Sequence, residues 1–193
     1  MVIPSVRILW ISDDKGYGLF STEHIPKGTI TYCQDPLDIV IRKDDVSRYP
    51  NALLNSIHKF AFEPPNGDLV LCWDEAKYIN HCCSPNSLST GYEFEIAVRD
   101  IQIGEELTTD YRLFSRNNHF ACRCDNEQCP RPGMDGFDVP AIDRVIRSAL
   151  ASLTDVPQPL AFLIPPHQKA QLDRFLADPR EYISIANELP IQR

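Results

Sequence analysis

The sequence lacks any hydrophobic run that approaches the roughly 20 residues a membrane-spanning helix needs. Its N-terminus, MVIPSVRILWISDDKG, also lacks the basic segment, the apolar segment and the small-residue cleavage site of a secretion signal. With 43% hydrophobic and 24% charged residues, the composition is typical of a soluble globular protein. These absences predict an intracellular protein without membrane association.

Positive charge is also in short supply. The chain has 19 Lys and Arg residues against 27 Asp and Glu residues, which gives a net charge of −8. A surplus of acid argues against binding the nucleic-acid backbone through bulk charge. It favours a basic partner, and we expect a protein or peptide rich in lysine and arginine. The composition leaves the oligomeric state open.

Glycine is scarce, because the eight glycines of the 193-residue chain fall below the average usage of roughly 7%. Each glycine is therefore expected to mark a place where the backbone needs one. Gly16 and Gly18 lie together in GYG, Gly28 and Gly104 end the similar turns HIPKG and IQIG, and Gly67 lies in the hairpin signal PPNG.

The pattern of apolar residues predicts a β-rich body followed by helices. Strands are expected at VRILWI, GLFST, TITYC, KFAFE, DLVLCW and FEIAVR, with one or two short helices over residues 43–58. After Gly136 one helical face is formed by Ile142, Val145, Ile146, Ala149, Leu150 and Leu153. A second helix is expected after the prolines at 165 and 166, and a third at Asp178.

The cysteines carry the strongest local signal. Seven cysteines form an odd set, and clustered cysteines in an intracellular chain bind metal more often than they form disulfides. Cys122, Cys124 and Cys129 form C-x-C-x4-C, a spacing that suits a turn around Zn²⁺ and needs a fourth ligand. The candidates for that ligand are His81, Cys82, Cys83 and His119. Cys33 and Cys72 lie in apolar runs and are expected to be buried.

Two further segments are ordinary when each is taken alone. GYG follows an expected strand and could let the main chain approach a cofactor of the adenosine type, but two glycines near a strand usually form a plain turn. IGEELTTDYRLF, residues 103 to 114, has the pattern of a strand exit with solvated acids.

The order of these segments resembles the SET-domain protein lysine methyltransferases that carry a post-SET zinc motif. The matching residues are Gly16, Tyr17 and Gly18, then NHCCSPN at residues 80 to 86, then GEEL at 104 to 107 with Asp110 and Tyr111, and finally Cys122, Cys124 and Cys129. Four ordered motifs are improbable by chance. The resemblance covers roughly residues 5 to 131 and does not cover the helical tail.

The resemblance implies a SET-domain fold of several small sheets with a knot-like crossing, so that the fold class is mostly β, or β-rich α+β, with a short helical C-terminal appendix. It divides the chain into a SET domain over residues 5–115, a post-SET zinc-binding segment over 116–132 and a helical extension over 133–193. It also implies an S-adenosylmethionine-dependent transferase that methylates the side-chain amine of lysine in a histone or another basic protein.

Family site roles can be assigned by position. The resemblance implies that Tyr111 is the catalytic residue and that one structural Zn²⁺ is bound by Cys83, Cys122, Cys124 and Cys129. S-adenosylmethionine would contact Lys15, Gly16, Tyr17, Gly18, Lys77, Asn80, His81 and Tyr111. Phe60, Phe62, Tyr32, Phe114 and Phe120 are candidates for the wall of a channel that receives the target lysine.

Several positions depart from the family pattern. Thr109 stands where many members have Tyr or Phe, Lys77 stands for an Arg, NHCC replaces NHSC, and TYCQDPLD replaces the usual Y-x-G-E. The number of methyl groups added therefore stays open. The departures keep a second hypothesis alive, a weakened SET-like module that binds a peptide or cofactor. An unrelated zinc-ribbon interaction protein would explain the cysteines but leave GYG and NHCCSPN unexplained.

Overall fold

The computed structural model describes residues 1–114, 122, 124, 129 and 138–189. Ten strands are described, namely β1 (Val6–Ser12), β2 (Gly16–Ser21), β3 (Ile30–Cys33), β4 (Ile39–Ile41), β5 (Ala61–Phe62), β6 (Leu69–Leu71), β7 (Asn80–His81), β8 (Ser87–Ser89), β9 (Phe94–Ala97) and β10 (Glu106–Thr109). The α-helices are α1 (Asn51–Phe60), α2 (Val139–Leu150) and α3 (Pro166–Ala177). Short 3-10 turns cover Lys43–Arg48, Glu75–Tyr78, Tyr111–Leu113, Leu153–Asp155, Ala161–Leu163, Pro179–Glu181 and Ile185–Glu188.

The strands form three small sheets, as the resemblance predicted. One has the order β1-β2-β10-β7, the second β3-β9-β8 and the third β4-β6-β5. Neighbouring strands are antiparallel except for β10 and β7, which run parallel. The turns HIPKG and IQIG place Gly28 and Gly104 at φ +93° and +78°, a backbone region that favours glycine. Together these features confirm the β-rich fold class.

Three local predictions need correction. KFAFE is not one strand, because α1 continues through Phe60 and only Ala61 and Phe62 pair in a sheet. The helix expected at Asp178 is only the 3-10 turn Pro179–Glu181.

Four short strands were not foreseen, at Ile39–Ile41, Asn80–His81, Ser87–Ser89 and Glu106–Thr109. Strands of two to four residues are too short to show an alternating pattern, so pairing with neighbours decides them.

The helical tail packs on the β-rich body. Asp138 caps α2 by accepting a hydrogen bond from the Ala141 amide, and Pro140 lies in the first turn. The α2 residues Ile146, Ala149 and Leu150 are buried, whereas Val145 is exposed. Tyr182 and Ser184 return from the chain end and donate hydrogen bonds to the Asp143 carboxylate.

Body and tail share one hydrophobic core. The tail contributes Ile146, Leu150, Leu160, Leu172, Phe175 and Ile185, which join core residues from β2, β3, β9 and β10. The predicted boundaries between SET domain, post-SET segment and extension fall at residues 115 and 132, outside the described residues. Among the described helices none is both long and apolar enough to span a bilayer.

Candidate active site and metal centre

The parallel pairing of β7 with β10 brings two distant motifs together. Asn80 pairs with Thr108 and His81 with Thr109, so the NHCC segment lies directly beside GEELTT. The amide of Cys82 continues this pairing by donating to the Thr109 carbonyl at 2.9 Å. The chain then enters the turn Tyr111–Leu113, which places Tyr111 next to the NHCC segment.

Tyr111 is held at three points. Its hydroxyl donates to the Ile79 carbonyl at 2.7 Å, its amide donates to His81 Nδ1 at 3.2 Å, and the two rings lie with centroids 5.6 Å apart. Burial raises the pKa of Tyr111 to about 12, and the carboxylates of Glu95 and Glu106 add to the effect. The phenol is therefore neutral at physiological pH and can act as a fixed dipole.

His81 connects this tyrosine to the cysteines. Its side chain is only 4% exposed, with Nδ1 accepting from Tyr111 and Nε2 lying 3.2 Å from Cys83 Sγ. Burial lowers the pKa of His81, and Arg112 adds to this, while Asp110 acts in the opposite direction. These contacts occupy both ring nitrogens of His81.

Four cysteines form a compact cluster, here called the thiol cluster, consisting of Cys83, Cys122, Cys124 and Cys129. Their sulfur atoms all lie within 4.8 Å of one another, and the closest pairs are 3.3 to 3.6 Å apart. None of the seven cysteines forms a disulfide. Zn²⁺ bound to four thiolates at about 2.3 Å would place the sulfurs about 3.8 Å apart, so the cluster needs only slight expansion to fit the ion.

His81, Cys82 and His119 were the candidates that competed with Cys83 for the fourth position. His81 Nε2 lies 3.2 Å from Cys83 Sγ, but His81 is not among the four converging ligands. Cys82 lies beside the cluster, where its sulfur accepts from the Ser84 amide at 3.4 Å, but it is not among the four converging thiols. His119 lies outside the described residues. Burial, followed by the neighbouring thiols, raises the pKa of Cys83.

The GYG segment fulfils two different requirements. Gly16 has φ +75°, and a Cβ built there meets no atom within 4 Å, so its main chain faces open space. A Cβ on Gly18 would lie 2.6 Å from Glu106 Oε1 and 2.9 Å from Asn80 Nδ2, so this glycine is required by packing. The side-chain amide of Asn80 donates to the Tyr17 carbonyl at 3.0 Å and to Glu106 at 2.8 Å. These hydrogen bonds fasten GYG to the paired strands β7 and β10.

A row of aromatic rings leads away from GYG. Trp10, Tyr17, Tyr78 and Phe60 meet edge to face with successive centroid distances of 5.1, 5.8 and 5.7 Å. Trp10 and Tyr17 are 55% and 48% exposed, which leaves their faces available for a flat ligand. The Lys77 ammonium lies 5.8 Å from the Tyr78 ring centre and donates to the Trp73 carbonyl.

A cavity of about 750 Å³ opens beside Tyr111. The predicted wall residues Phe60, Phe62, Tyr32 and Phe114 all line it, as do Lys77 and Thr109, while Phe120 lies outside the described residues. The exposed part of the lining belongs to residues such as His58, Lys59 and Glu93, and the buried part belongs to β3, β6, β9 and β10. The cavity therefore runs from solvent to the tyrosine.

Sequence reasoning missed Glu95. It lies on β9, is 4% exposed and lines the same cavity as Tyr111. Its position inside the apolar run FEIAV was the available signal, because a charged residue is seldom fully buried without a reason.

Comparisons with known proteins agree with this geometry. The SET domain family matches residues 16–112, which is half of the 193-residue chain. The histone-lysine N-methyltransferase set1 of Dictyostelium discoideum is 30% identical over 128 residues, covering 61% of this chain and 9% of that protein. Histone-lysine N-methyltransferase trithorax of Drosophila melanogaster is 30% identical over 126 residues, covering 59% of this chain and 3% of that protein.

A crystal structure of a Plasmodium falciparum protein titled as a histone methyltransferase aligns with a TM-score of 0.41 at 21% identity, covering 57% of this chain and 95% of that one. The chain spans less than a tenth of the length of the Dictyostelium and Drosophila relatives. The family match includes GYG, the NHCC segment and Tyr111. The chain belongs to the SET domain family.

Proposed function

We propose that this chain transfers methyl groups from S-adenosylmethionine to the side-chain amine of lysine in a protein substrate. The observation that carries the proposal is the position of Tyr111. It lies in the wall of the 750 Å³ cavity and also contacts the NHCC segment through His81. The named activity of the relatives supports the same reaction class. A cavity on one side of a fixed tyrosine and a cofactor region on the other is the arrangement that methyl transfer requires.

The GYG region fits the proposed cofactor. Open main chain at Gly16 and the exposed rings of Trp10 and Tyr17 suit an adenosine, and the side chain of Lys15 suits a carboxylate. S-adenosylmethionine supplies a methyl group on a positively charged sulfur. The proposed contact set is Lys15, Gly16, Tyr17, Gly18, Lys77, Asn80, His81 and Tyr111. Within this set, Gly18 leaves the space that Asn80 occupies, and Asn80 holds Tyr17 through a hydrogen bond to its carbonyl.

The residues around the cavity have to align the target amine and deliver it without charge. A free lysine has a pKa of about 10.4, and an apolar wall disfavours its charged form. Phe60, Phe62 and Phe114 provide such a wall. Tyr111, neutral and fixed by Ile79 and His81, orients the amine and stabilises developing charge without forming a covalent bond.

The thiol cluster is proposed to hold one structural Zn²⁺ through Cys83, Cys122, Cys124 and Cys129. The ion would tie the segment that carries Cys122, Cys124 and Cys129 to the NHCC turn, next to the active tyrosine. The proposed substrate is basic, because the chain carries −8 overall. Histones are the first substrates to test, given the names of the relatives.

The proposal is tested with labelled S-adenosylmethionine and two substrate pools, core histones and a proteome extract. We expect label in lysine side chains, and we expect Tyr111→Phe to lower the rate by at least about 10²-fold, the order seen when one stabilising hydroxyl or donor is removed. The matched control is Tyr49→Phe, because Tyr49 lies outside the cavity lining and should not change the rate. Cofactor binding measured by calorimetry should persist in both variants.

One observation favours the alternative, a SET-like module that binds a peptide or cofactor without efficient transfer. Thr109 replaces an aromatic residue of the family, and its hydroxyl donates to Glu95, so the cavity is wider and more polar at this point. Binding of both cofactor and basic peptides without transfer to either pool would establish the module and exclude the enzyme.

A further inference from the structure

Glu95 lies at a place where a carboxyl group is costly. It occupies the centre of β9, the middle strand of the sheet β3-β9-β8, and it pairs with Tyr32 on one side and Ser89 on the other. The side chain is 4% exposed, and it lines the buried part of the cavity together with Thr109 and Tyr111. A carboxylate in such surroundings loses its hydration and needs compensation from the protein or from a ligand.

The compensation that the described residues give Glu95 is neutral. Ser87 Oγ donates to Oε2 at 3.0 Å, and Thr109 Oγ1 donates to Oε1 at 3.3 Å. Across the described ranges, no lysine, arginine or histidine forms an ion pair with Glu95. The two hydroxyls hold the carboxyl in place but leave its negative charge without a counter-charge.

Other buried carboxylates of the chain are compensated differently. Asp35 lies 2.7 Å from the N-terminal ammonium, Asp110 pairs with Arg112, and Asp74 accepts from the backbone amides of Val2 and Ala76. None of these three lines the cavity. Asp74, like Glu95, forms no ion pair in the described part of the chain, but two backbone amides compensate it. Glu95 therefore differs from all three in lining the space where a substrate would bind.

The ionisation of Glu95 suits proton transfer near neutral pH. Burial raises its pKa to about 7, opposed by the hydrogen bonds from Ser87 and Thr109. Tyr111 also faces this region, and burial raises its pKa to about 12, so it does not compete for protons. Tyr32, on the neighbouring strand, also has a raised pKa. Cys72 also lines the cavity, and burial raises its pKa to about 12. The remaining charged or titratable groups of the lining are His58, Lys59, Glu63, Asp68, Lys77 and Glu93, all of them less deeply buried than Glu95.

We propose that Glu95 receives the target lysine ammonium at the inner end of the cavity and accepts the proton that this group must lose. The inference rests on the proposed function and adds a catalytic base to it. In the step, an N–H bond of the ammonium breaks and an O–H bond forms on the Glu95 carboxylate. The nitrogen keeps the electron pair that methyl transfer needs, and the proton later leaves to solvent through the open cavity.

The first test compares Glu95→Gln with Glu93→Gln across pH 6 to 10. Both variants remove one negative charge from the cavity lining, but Glu93 is exposed. At pH 7 we expect Glu95→Gln to lower kcat by at least about 10²-fold, and Glu93→Gln to leave kcat nearly unchanged. The wild-type rate should level off above about pH 7. The Glu95→Gln rate should keep rising about tenfold per pH unit, because solvent then removes the proton.

Three outcomes would overturn the inference. One is a Glu95→Gln rate and pH profile equal to the wild type. Another is a loss of rate that is the same at every pH, which indicates a structural role. The third concerns the change of slope near pH 7 in the plot of wild-type rate against pH. The inference fails if this change of slope persists in Glu95→Gln and vanishes in His58→Gln. A wild-type chain that binds cofactor but methylates no pool refutes the proposed function itself.

A second test does not depend on activity or on the folding of the glutamine variant. In wild-type protein labelled with ¹³C-glutamate, the side-chain carboxyl resonance of Glu95 is identified by its absence in Glu95→Asp. A peptide carrying lysine at the target position should lower the pKa of Glu95 by about one unit or more relative to the same peptide with norleucine, because an ammonium nearby favours the carboxylate. Equal titrations with both peptides would overturn the inference.

Discussion

Two buried carboxyl groups, Asp110 and Glu95, lie on opposite sides of Tyr111 and differ in the partners that compensate them. On the side of the thiol cluster, Asp110 accepts a bidentate contact from Arg112 and lies 3.7 Å from His81 Nδ1. On the cavity side, Glu95 is held by Ser87 and Thr109 without any basic partner in the described part of the chain. A charge balanced inside the protein fixes a loop, whereas an unbalanced charge beside a cavity is available to a ligand.

The largest effect is expected on the side of the thiol cluster, where the four cysteines would bind the metal ion as thiolates. Metal analysis should give one zinc per chain, and Cys83→Ser should reduce it to near zero, because structural zinc sites of about 10 kcal/mol or more depend on all four ligands. Cys82→Ser is the matched control, since Cys82 neighbours Cys83 but lies outside the cluster. Zinc retained in Cys83→Ser and lost in Cys82→Ser would reverse the ligand assignment.

A smaller effect is expected when the internal balance of Asp110 is removed. Arg112→Met should lower the free energy of unfolding by about 3 kcal/mol, because Asp110 is 3% exposed and would be left as an uncompensated buried charge. Arg180→Met is a close control. Arg180 makes the same two-residue contact with Asp178, but its side chain is 89% exposed, so the loss of unfolding free energy should be far smaller than in Arg112→Met. Denaturant unfolding measures both, and equal losses would contradict the comparison.

An effect similar in size to that of Arg112→Met is expected from pH on the cavity side. The folded-state pKa of Glu95 is raised to about 7, so the folded chain binds more protons than the unfolded chain between about pH 4.5 and 7. The free energy of unfolding should therefore fall as pH rises through this range, by an amount on the order of 3 kcal/mol.

His81 acts in the opposite direction over part of this range, because its lowered pKa makes stability fall as pH drops below its unfolded value. The measurement is therefore the difference between wild type and Glu95→Gln at each pH. This difference should decline from about pH 4.5 to 7 and then stay constant. A flat difference would mean that Glu95 titrates normally in the folded chain.

The sequence was sufficient for features that are encoded locally. GYG, the NHCC segment, GEEL with Asp110-Tyr111 and the three clustered cysteines are short, ordered motifs, and they predicted the fold class. The helix α2 followed from the spacing of Ile146, Ala149 and Leu150, which are buried on one face. The proposed roles of these residues stay predictions until the variants are measured.

Features that depend on distant contacts could not be read from the sequence. The burial of Glu95 depends on the pairing of β9 with β3 on one side and with β8 on the other. Gly18 suggested a ligand loop, but the space it vacates is filled by Glu106, Ile11 and Asn80. Such packing depends on the register of strands far apart in the chain, and local propensity does not determine it.

The imidazole of His81 has a consequence for how this site tolerates change. Any replacement has to satisfy two neighbours at once, as an acceptor for the Tyr111 amide and as a donor toward the Cys83 sulfur. Among the natural side chains, only a neutral imidazole carries one acceptor and one donor nitrogen in the same rigid ring. A substitution at position 81 therefore disrupts the contact with Tyr111, the contact with Cys83 or both. A second substitution that restores one of these contacts leaves the other broken.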